Sequence, residues 1–402
     1  MQWVIKITKR CNLRCKYCYE WDFLSDPARM SLDVWRSTLH AILEYSELAE
    51  AQSGIPTYSS LIWHGGEPLL LPPAYFESVL ELQREVFPAE WIKQGRFRNC
   101  IQTNLFSVTD AQLDLLQRHE FKVGVSLDFV GDVRVTANGR PTEERVKQNL
   151  GRLRARGIPY QLITVLARHT ASEVEGVFRE IHNLNVPTRL LPLFEGPPSR
   201  DLRNVELSRS AMLDAMLRMF ELWFDAGMSP KMRPFDHAVE TIVMKKLGLL
   251  RSPQDRTKLN HEVLVVDRDG SVSCASHRDS WRVGNVTHMT VSDIVRSDSY
   301  RALVSDESDL KRSICGPCPF FGPCDTSPIA SCFDSFIFRD CVIEKPLYTA
   351  IEAYLDERGL LGTEFLGSAQ AQVADYVRAE MQLDAPAGRG DLSLNSGRRG
   401  PC

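Results

Sequence analysis

A chain of 402 residues, 43% hydrophobic and 25% charged, can bury a sizeable core in more than one domain, and this composition excludes global disorder. A net charge of −4 offers no electrostatic ground for binding nucleic acid or an anionic membrane surface. The apolar runs are too short to span a bilayer, and "MQWVIKITKR" lacks the apolar core and cleavage site of a secretory signal. The expected location is the cytoplasm, where thiols stay reduced.

The first half alternates β-rich runs with amphipathic segments. The runs are "QWVIKIT", "SLIWH", "RNCIQTN", "KVGVSLD", "YQLITVL" and "TRLLPL". Between them, "SLDVWRSTLHAILEYSELAE" reads as a helix with Ser31 at its N-cap, and "PTEERVKQNLGRLRARG" as one stopped by Gly157. Such repeats over residues 1–200 imply an α/β fold with parallel strands and right-handed crossovers. Periodicity alone fits a full or partial barrel and an open doubly wound sheet equally. Four polar stretches close strands one to four: the cysteine loop, "GGEP", "TN" and "SLD". Parallel α/β proteins assemble their sites at that edge.

Residues 201–255 read as a helical linker. In it "ELSRSAMLDAMLRMFELWFDAG" places Met212, Met216, Leu217, Phe220, Trp223 and Phe224 on one face, a pattern of core packing. A second cysteine-rich domain is expected at 256–345, a C-terminal helix at 346–365 and a flexible tail at 366–402.

Nine of the eleven cysteines fall in two groups, and in a reducing compartment such grouping favours metal or iron–sulfur ligation over disulfides. Cys100 reads as a small core residue, and Cys402 ends the tail. Cys11, Cys15 and Cys18 have the spacing Cys-x3-Cys-x2-Cys, with no fourth Cys or His adjacent. A structural zinc site wants four ligands, whereas three thiolates on a [4Fe–4S] cubane leave one iron open.

"CNLRCKYC" resembles the signature of the radical S-adenosylmethionine (radical SAM) enzymes. That resemblance implies a catalytic [4Fe–4S] cluster on Cys11, Cys15 and Cys18, with S-adenosylmethionine on the open iron. It also implies reductive cleavage of the cofactor to a hydrogen-abstracting 5′-deoxyadenosyl radical, and a partial (β/α)6 barrel over roughly residues 3–193. "HGGEP" is similar to the family's strand-two motif, which implies that Gly65, Gly66 and Glu67 receive the methionine ammonium. Tyr17 stands where the family places an aromatic near the adenine. "QTN" and "SLD" resemble the third and fourth strand endings, implying cofactor contacts for Asn104, Ser126 and Asp128. Arg134 is the expected partner of the cofactor carboxylate.

The second region, from "VLVVDRDGSVSC" to "CGPCPFFGPCDTSPIASCFDSFIFRDC", resembles the SPASM extension of the same enzymes. A zinc ribbon would account for Cys315 and Cys318 alone. The resemblance implies an auxiliary [4Fe–4S] cluster on Cys315, Cys318, Cys324 and Cys341. A second auxiliary cluster on Cys274 and Cys332 stays open, with His277, His288 or a substrate atom as further ligands, because the upstream cysteine of the pattern is missing and Cys332 stands four residues late.

SPASM proteins mostly modify peptides. Ala275 occupies the position where sulfatase-maturing members carry Asp, so the expected reaction is oxidative cross-linking of a precursor peptide, as a thioether or carbon–carbon bond. The alternatives are a radical SAM dehydrogenase or epimerase acting on a small molecule or a sulfatase-type protein substrate, and a non-catalytic iron–sulfur electron carrier; the last has no use for "GGEP", "QTN" and "SLD". The expected partners are a peptide substrate and a reductase or a flavodoxin- or ferredoxin-type electron donor. Strand one begins near Trp3, so no leader-gripping module is expected ahead of it. No catalytic acid or base is assigned: Glu195, His277 and Asp279 have the right chemistry but read more simply as surface charge.

Overall fold

The computed structural model describes residues 1–130, 133–193, 204–248, 263–274, 282–321, 324 and 341–362. The chain forms two compact units, Met1–Arg233 with Thr257–Leu310, and Pro234–Arg256 with Lys311–Pro401.

The first unit is built on one ten-stranded sheet in the order β10-β9-β8-β1-β2-β3-β4-β5-β6-β7. The strands are β1 (Gln2–Thr8), β2 (Ser59–Gly65), β3 (Phe97–Thr103), β4 (Lys122–Ser126), β5 (Tyr160–Leu166), β6 (Thr188–Pro192), β7 (Met232–Arg233), β8 (Val263–Val266), β9 (Ser271–Ser273) and β10 (Arg282–Asn285). Strands β1 to β7 are parallel neighbours, β8 joins β1 in parallel, and β9 and β10 add antiparallel. The mixed α/β unit thus carries the six expected βα repeats in an open parallel sheet; among the described residues the sheet does not close.

Helices α1 (Leu32–Ser53), α2 (Pro73–Val86), α3 (Ala89–Lys93), α4 (Asp110–Arg118), α5 (Glu143–Ala155), α6 (Arg168–Ser172), α7 (Val174–Leu184) and α8 (Arg209–Asp225) follow in chain order. Ser31 caps α1, its hydroxyl accepting from Val34 N at 3.3 Å, and Gly157 follows α5 with φ +65°. On α8, Met212, Met216, Phe220 and Trp223 are buried, while Leu217 and Phe224 keep partial exposure.

Strand alternation sorts the sheet into two faces. Trp3, Ile5, Ile7, Leu61, Trp63, Ile101, Val123, Val125, Leu162 and Leu190 are buried on one of them. Trp63 stacks on Phe76 of α2 at 5.0 Å and meets Trp35 of α1 at 4.8 Å, so this is the helix-packed face. Each such side chain contributes roughly 1.5–3 kcal/mol of burial. The opposite face is mixed, with Ile62 and Cys100 buried on it and polar side chains gathered towards the carboxyl edge. Lys6 stands beside His64, Gln102 beside Gly124, and Gly124 beside Gln161.

The "RDG" turn joins β8 to β9 as expected, with Gly270 at φ +83°. This hairpin, expected inside a domain at 256–345, extends the sheet of the first unit through β1. Helix α10 (Val291–Arg296) ties it further: Glu44 of α1 accepts from Val291 N at 2.9 Å and Ser292 N at 3.2 Å. Helix α11 spans Asp298–Cys315.

In the second unit, α9 (Phe235–Lys246) packs on α12 (Glu344–Glu357), burying Phe235, Ile242, Leu347 and Ile351. Glu352 receives Lys245 at 2.6 Å and Lys246 at 3.3 Å. Helix α12 starts and ends earlier than the expected span of 346–365. The expected tail lies outside the described residues. Among the described residues, no helix is long and apolar enough to cross a membrane.

Candidate active site

The cysteine loop leaves β1 and runs across the carboxyl edge of the sheet. Two contacts pin its centre to the segment after β4: Arg14 N donates to Val135 O at 2.7 Å and Lys16 N to Val133 O at 2.9 Å. Cys11 N donates to Leu24 O at 3.0 Å and Cys18 N to Cys15 O at 3.0 Å, so all three thiols ride on an ordered frame.

The "GGEP" glycines are needed for this docking. Gly65 has φ +122°, and a Cβ there would lie 2.0 Å from Thr8 O; one on Gly66 would lie 2.3 Å from Arg10 O. Gly66 N donates to Thr8 O and Glu67 N to Arg10 O, both at 2.8 Å. The close backbone approach expected toward a cofactor is made here toward the chain's own cysteine loop. Glu67 is buried, accepting from Leu69 N at 3.0 Å and Thr103 Oγ1 at 2.7 Å on Oε1, and from Asn104 N at 2.7 Å on Oε2. The expected ammonium acceptor therefore spends most of its capacity tying β2 to the end of β3. Burial outweighs these three bonds and pushes its carboxyl up to about 7.

Asn104 reaches the loop directly, its Nδ2 donating to Asn12 Oδ1 at 2.9 Å and to Cys11 Sγ at 3.7 Å. Leu13 N also donates to Cys11 Sγ, at 3.4 Å. Asp128 is fully buried: Tyr17 donates its hydroxyl to Oδ2, Arg134 Nε donates to the same oxygen at 2.8 Å, and Val165 N donates to Oδ1 at 2.8 Å. Arg134 Nη1 then reaches Cys15 Sγ at 3.8 Å. Tyr17, Asp128 and Arg134, expected as three separate cofactor contacts, form one network beneath Cys15. Ser126 accepts from Gln102 Nε2 at 2.8 Å.

These surroundings fit a [4Fe–4S] cluster. Sulfur atoms that accept N–H bonds from Leu13, Asn104 and Arg134 are equipped to stay thiolates, and such bonds tune cluster potentials. Burial pushes the free thiols of Cys11 up to about 12 and Cys18 up to about 11, with Cys15 also raised. Ionisation is thereby coupled to metal binding.

In the second unit, Cys315, Cys318, Cys324 and Cys341 line one cavity with Phe320, Glu344 and Tyr348. Cys315 closes α11, Cys318 N donates to Cys315 O at 2.9 Å, and Cys324 N to Phe320 O at 3.1 Å. Cys341 Sγ accepts from Lys345 N at 3.2 Å. This is the four-cysteine set expected for an auxiliary cluster. Among the described residues, no three His, Cys, Asp or Glu are gathered tightly enough to hold a single metal ion.

Cys274 follows β9 directly, with partial exposure. Antiparallel pairing of β9 with β10 sets Ser273 against Arg282 and Ser271 against Asn285, which puts His288 at the far end of the hairpin from Cys274. That register removes His288 from a site with Cys274. Glu195, Ala275, His277, Asp279, Cys332 and Cys402 lie outside the described residues. Cys100 is fully buried in β3.

Reading strand ends alone missed four participants. Asn12 bridges Asn104 to Ser107, with its Nδ2 3.2 Å from Ser107 Oγ, and the buried Lys6 pairs with Glu20. His64 and Gln102 share the face away from the helices with Lys6. The period-two alternation of Lys6, His64, Gln102 and Gln161 against apolar neighbours was the available signal.

The Radical SAM superfamily model matches residues 5–181, and the SPASM model, an iron-sulfur cluster-binding domain, matches residues 260–319. A cysteine-type anaerobic sulfatase-maturating enzyme of Clostridium perfringens is 25% identical over 329 residues, covering 78% of this chain and 84% of that one. The solved structure of native anSMEcpe with bound AdoMet and Cp18Cys peptide superposes with TM-score 0.67 at 20% identity, over 94% of this chain and 99% of that one. Streptococcus suis SuiB bound to precursor peptide SuiA superposes with TM-score 0.53 at 12% identity, over 85% and 75%. With the cysteine loop at the carboxyl edge of a parallel sheet and both domain matches in order, this chain carries a radical SAM domain followed by a SPASM-type iron–sulfur domain.

Proposed function

We propose that this radical SAM/SPASM enzyme modifies a side chain of a polypeptide by hydrogen abstraction and oxidation, with a sulfatase-type Cys or Ser as the target class. The reading is carried by the three thiols of Cys11, Cys15 and Cys18, framed at the sheet's carboxyl edge and supplied with N–H donors. The target class rests on the similarity to a sulfatase-maturating enzyme across most of both chains. Bound by these thiols and reduced, a [4Fe–4S] cluster with S-adenosylmethionine supplies the hydrogen-abstracting radical. Asn104 and Arg134 orient and shield the sulfurs, and the Tyr17–Asp128–Arg134 network holds the loop against β4 and β5. Cys315, Cys318, Cys324 and Cys341 are assigned to an auxiliary cluster, and a flavodoxin- or ferredoxin-type protein to electron supply.

Ala275 keeps a second reading in play, cross-linking of a precursor peptide, because the sulfatase-type reaction would need its base from another residue. One experiment separates the two. The anaerobically reconstituted, reduced enzyme is given S-adenosylmethionine and sulfatase-derived peptides carrying a Cys or a Ser target, with products read by tandem mass spectrometry. Oxidation at the target Cys or Ser supports the first reading. A new bond between two side chains supports the second. 5′-Deoxyadenosine formed with every peptide left intact contradicts both.

A further inference from the structure

On the face of the first unit's sheet away from the helices, two neighbouring side chains each hold a hydrogen-bonding atom that has no partner among the described residues. Gly65 N donates to His64 Nδ1 at 2.7 Å, so the neutral ring carries its proton on Nε2. Among the described residues that N–H has no protein partner, and the side chain keeps partial solvent access. Gln102 spends its Nε2 on Ser126 Oγ at 2.8 Å, and among the described residues nothing donates to its Oε1, again with partial access.

Continuing the register Trp63↔Ile101 by one residue sets His64 beside Gln102, on strands about 4.8 Å apart. Gly124 is what allows the Gln102 amide to lie across β4, since a Cβ there would stand 2.2 Å from Gln102 Oε1. Lys6, the register neighbour of His64 on its other side, is matched by Glu20. The pair therefore offers a neutral donor and a neutral acceptor side by side. A carboxylate would leave the acceptor unpaired, and an ammonium would leave the donor unpaired. A residue in extended conformation satisfies both, because its N–H and C=O point to the same side.

We propose that His64 and Gln102 together grip the backbone of one extended residue of the polypeptide substrate, His64 Nε2–H donating to its carbonyl oxygen and Gln102 Oε1 accepting from its N–H. The assignment rests on the polypeptide reading above. It makes this face of β2 and β3 a sequence-independent recognition element, leaving side-chain selectivity to other groups.

The test is an N-methyl scan of a fluorescein-labelled peptide centred on a single cysteine. Its affinity is measured by anisotropy for the anaerobically reconstituted enzyme with S-adenosylmethionine bound. For the wild type, methylation at one amide raises Kd about threefold to tenfold. In Gln102→Leu the Kd is already raised and that amide becomes silent. His64→Phe weakens binding by a similar factor, and His64→Gln, which keeps an N–H donor, restores most of it. Circular dichroism and melting temperature establish that each variant is folded. The same position costing as much in Gln102→Leu as in the wild type overturns the pair, as does a His64→Phe loss confined to S-adenosylmethionine. No peptide binding by the wild type overturns the polypeptide reading itself, before any variant is made.

Discussion

The two cysteine sites differ in how completely the protein surrounds sulfur. In the first unit three thiols sit on a loop held by backbone bonds to Leu24, Val133 and Val135, with N–H donors from Leu13, Asn104 and Arg134 arranged around them. In the second, four thiols line a single cavity walled by Phe320 and Tyr348. Three ligands leave one iron of a cubane for an external partner, and four leave none. The same contrast separates catalytic from structural zinc sites. On the proposed assignment, one site would exchange ligands and the other would keep a cluster closed.

The largest effect expected from this contrast is a clean division of labour. Replacing Cys11, Cys15 and Cys18 with Ala should abolish S-adenosylmethionine cleavage and remove about four irons, leaving the auxiliary iron in place. Replacing Cys315, Cys318, Cys324 and Cys341 should remove about four irons while cofactor cleavage persists. Iron counts with 5′-deoxyadenosine assays read both, and loss of all iron from either variant would break the distinction.

Arg134→Met sharpens it from the side of stability. The change strands the fully buried Asp128 without its guanidinium partner and should cost about 3–5 kcal/mol in chemical denaturation. A loss under 1 kcal/mol would mean that the network beneath Cys15 does not hold the loop.

A third effect is pH-dependent and also confined to the first unit. Burial, then the charge of Lys6, pushes His64 from an ordinary 6.5 down to about 4. Between those values the unfolded chain binds a proton that the folded chain refuses. Stability therefore falls as pH drops from 6.5 towards 4 and is unaffected above that window. His64→Gln should remove at most about 3 kcal/mol of that acid sensitivity, read from denaturation midpoints at pH 7 and pH 4.5. An unchanged difference between the two pH values would contradict an imidazole that the fold keeps neutral.

The smallest effect belongs to the second unit. Glu352 is partly exposed where it meets Lys245, and Lys245→Met should cost no more than about 1 kcal/mol, shrinking further in high salt. A larger, salt-insensitive loss would put a tightly held charge there and weaken the contrast.

Much of the frame was legible because it depends on local pattern. The six β-rich runs coincide with β1 to β6 since alternation and turn residues act over a few positions, and Ser31 capped its helix for the same reason. The cysteine spacing was legible because one loop must present three thiols together. The roles of neighbouring residues were not. Tyr17 and Asp128 are 111 positions apart, so no periodicity announces that they bond each other. Gly65 and Gly66 signalled a close approach without saying to what, and the approach is to Thr8, Lys9 and Arg10. His64 and Gln102 each stand one residue before the end of a strand, and nothing local shows that β2 and β3 set them side by side. The hairpin at β8 to β10 lies within the SPASM match, and its pairing with β1, some 260 positions away in sequence, is a long-range register that no local pattern announces.

The most direct measurement compares the anaerobically reconstituted wild type with the Cys11, Cys15 and Cys18 triple alanine variant. Each is reduced with S-adenosylmethionine and a Cys-containing sulfatase-derived peptide, then assayed for 5′-deoxyadenosine and peptide mass. The wild type should form 5′-deoxyadenosine and oxidise the peptide, and the variant should do neither while retaining auxiliary iron. Cofactor cleavage that persists in the variant, or a wild type that is fully loaded and reduced yet cleaves nothing, would contradict the assignment of the catalytic cluster to this loop.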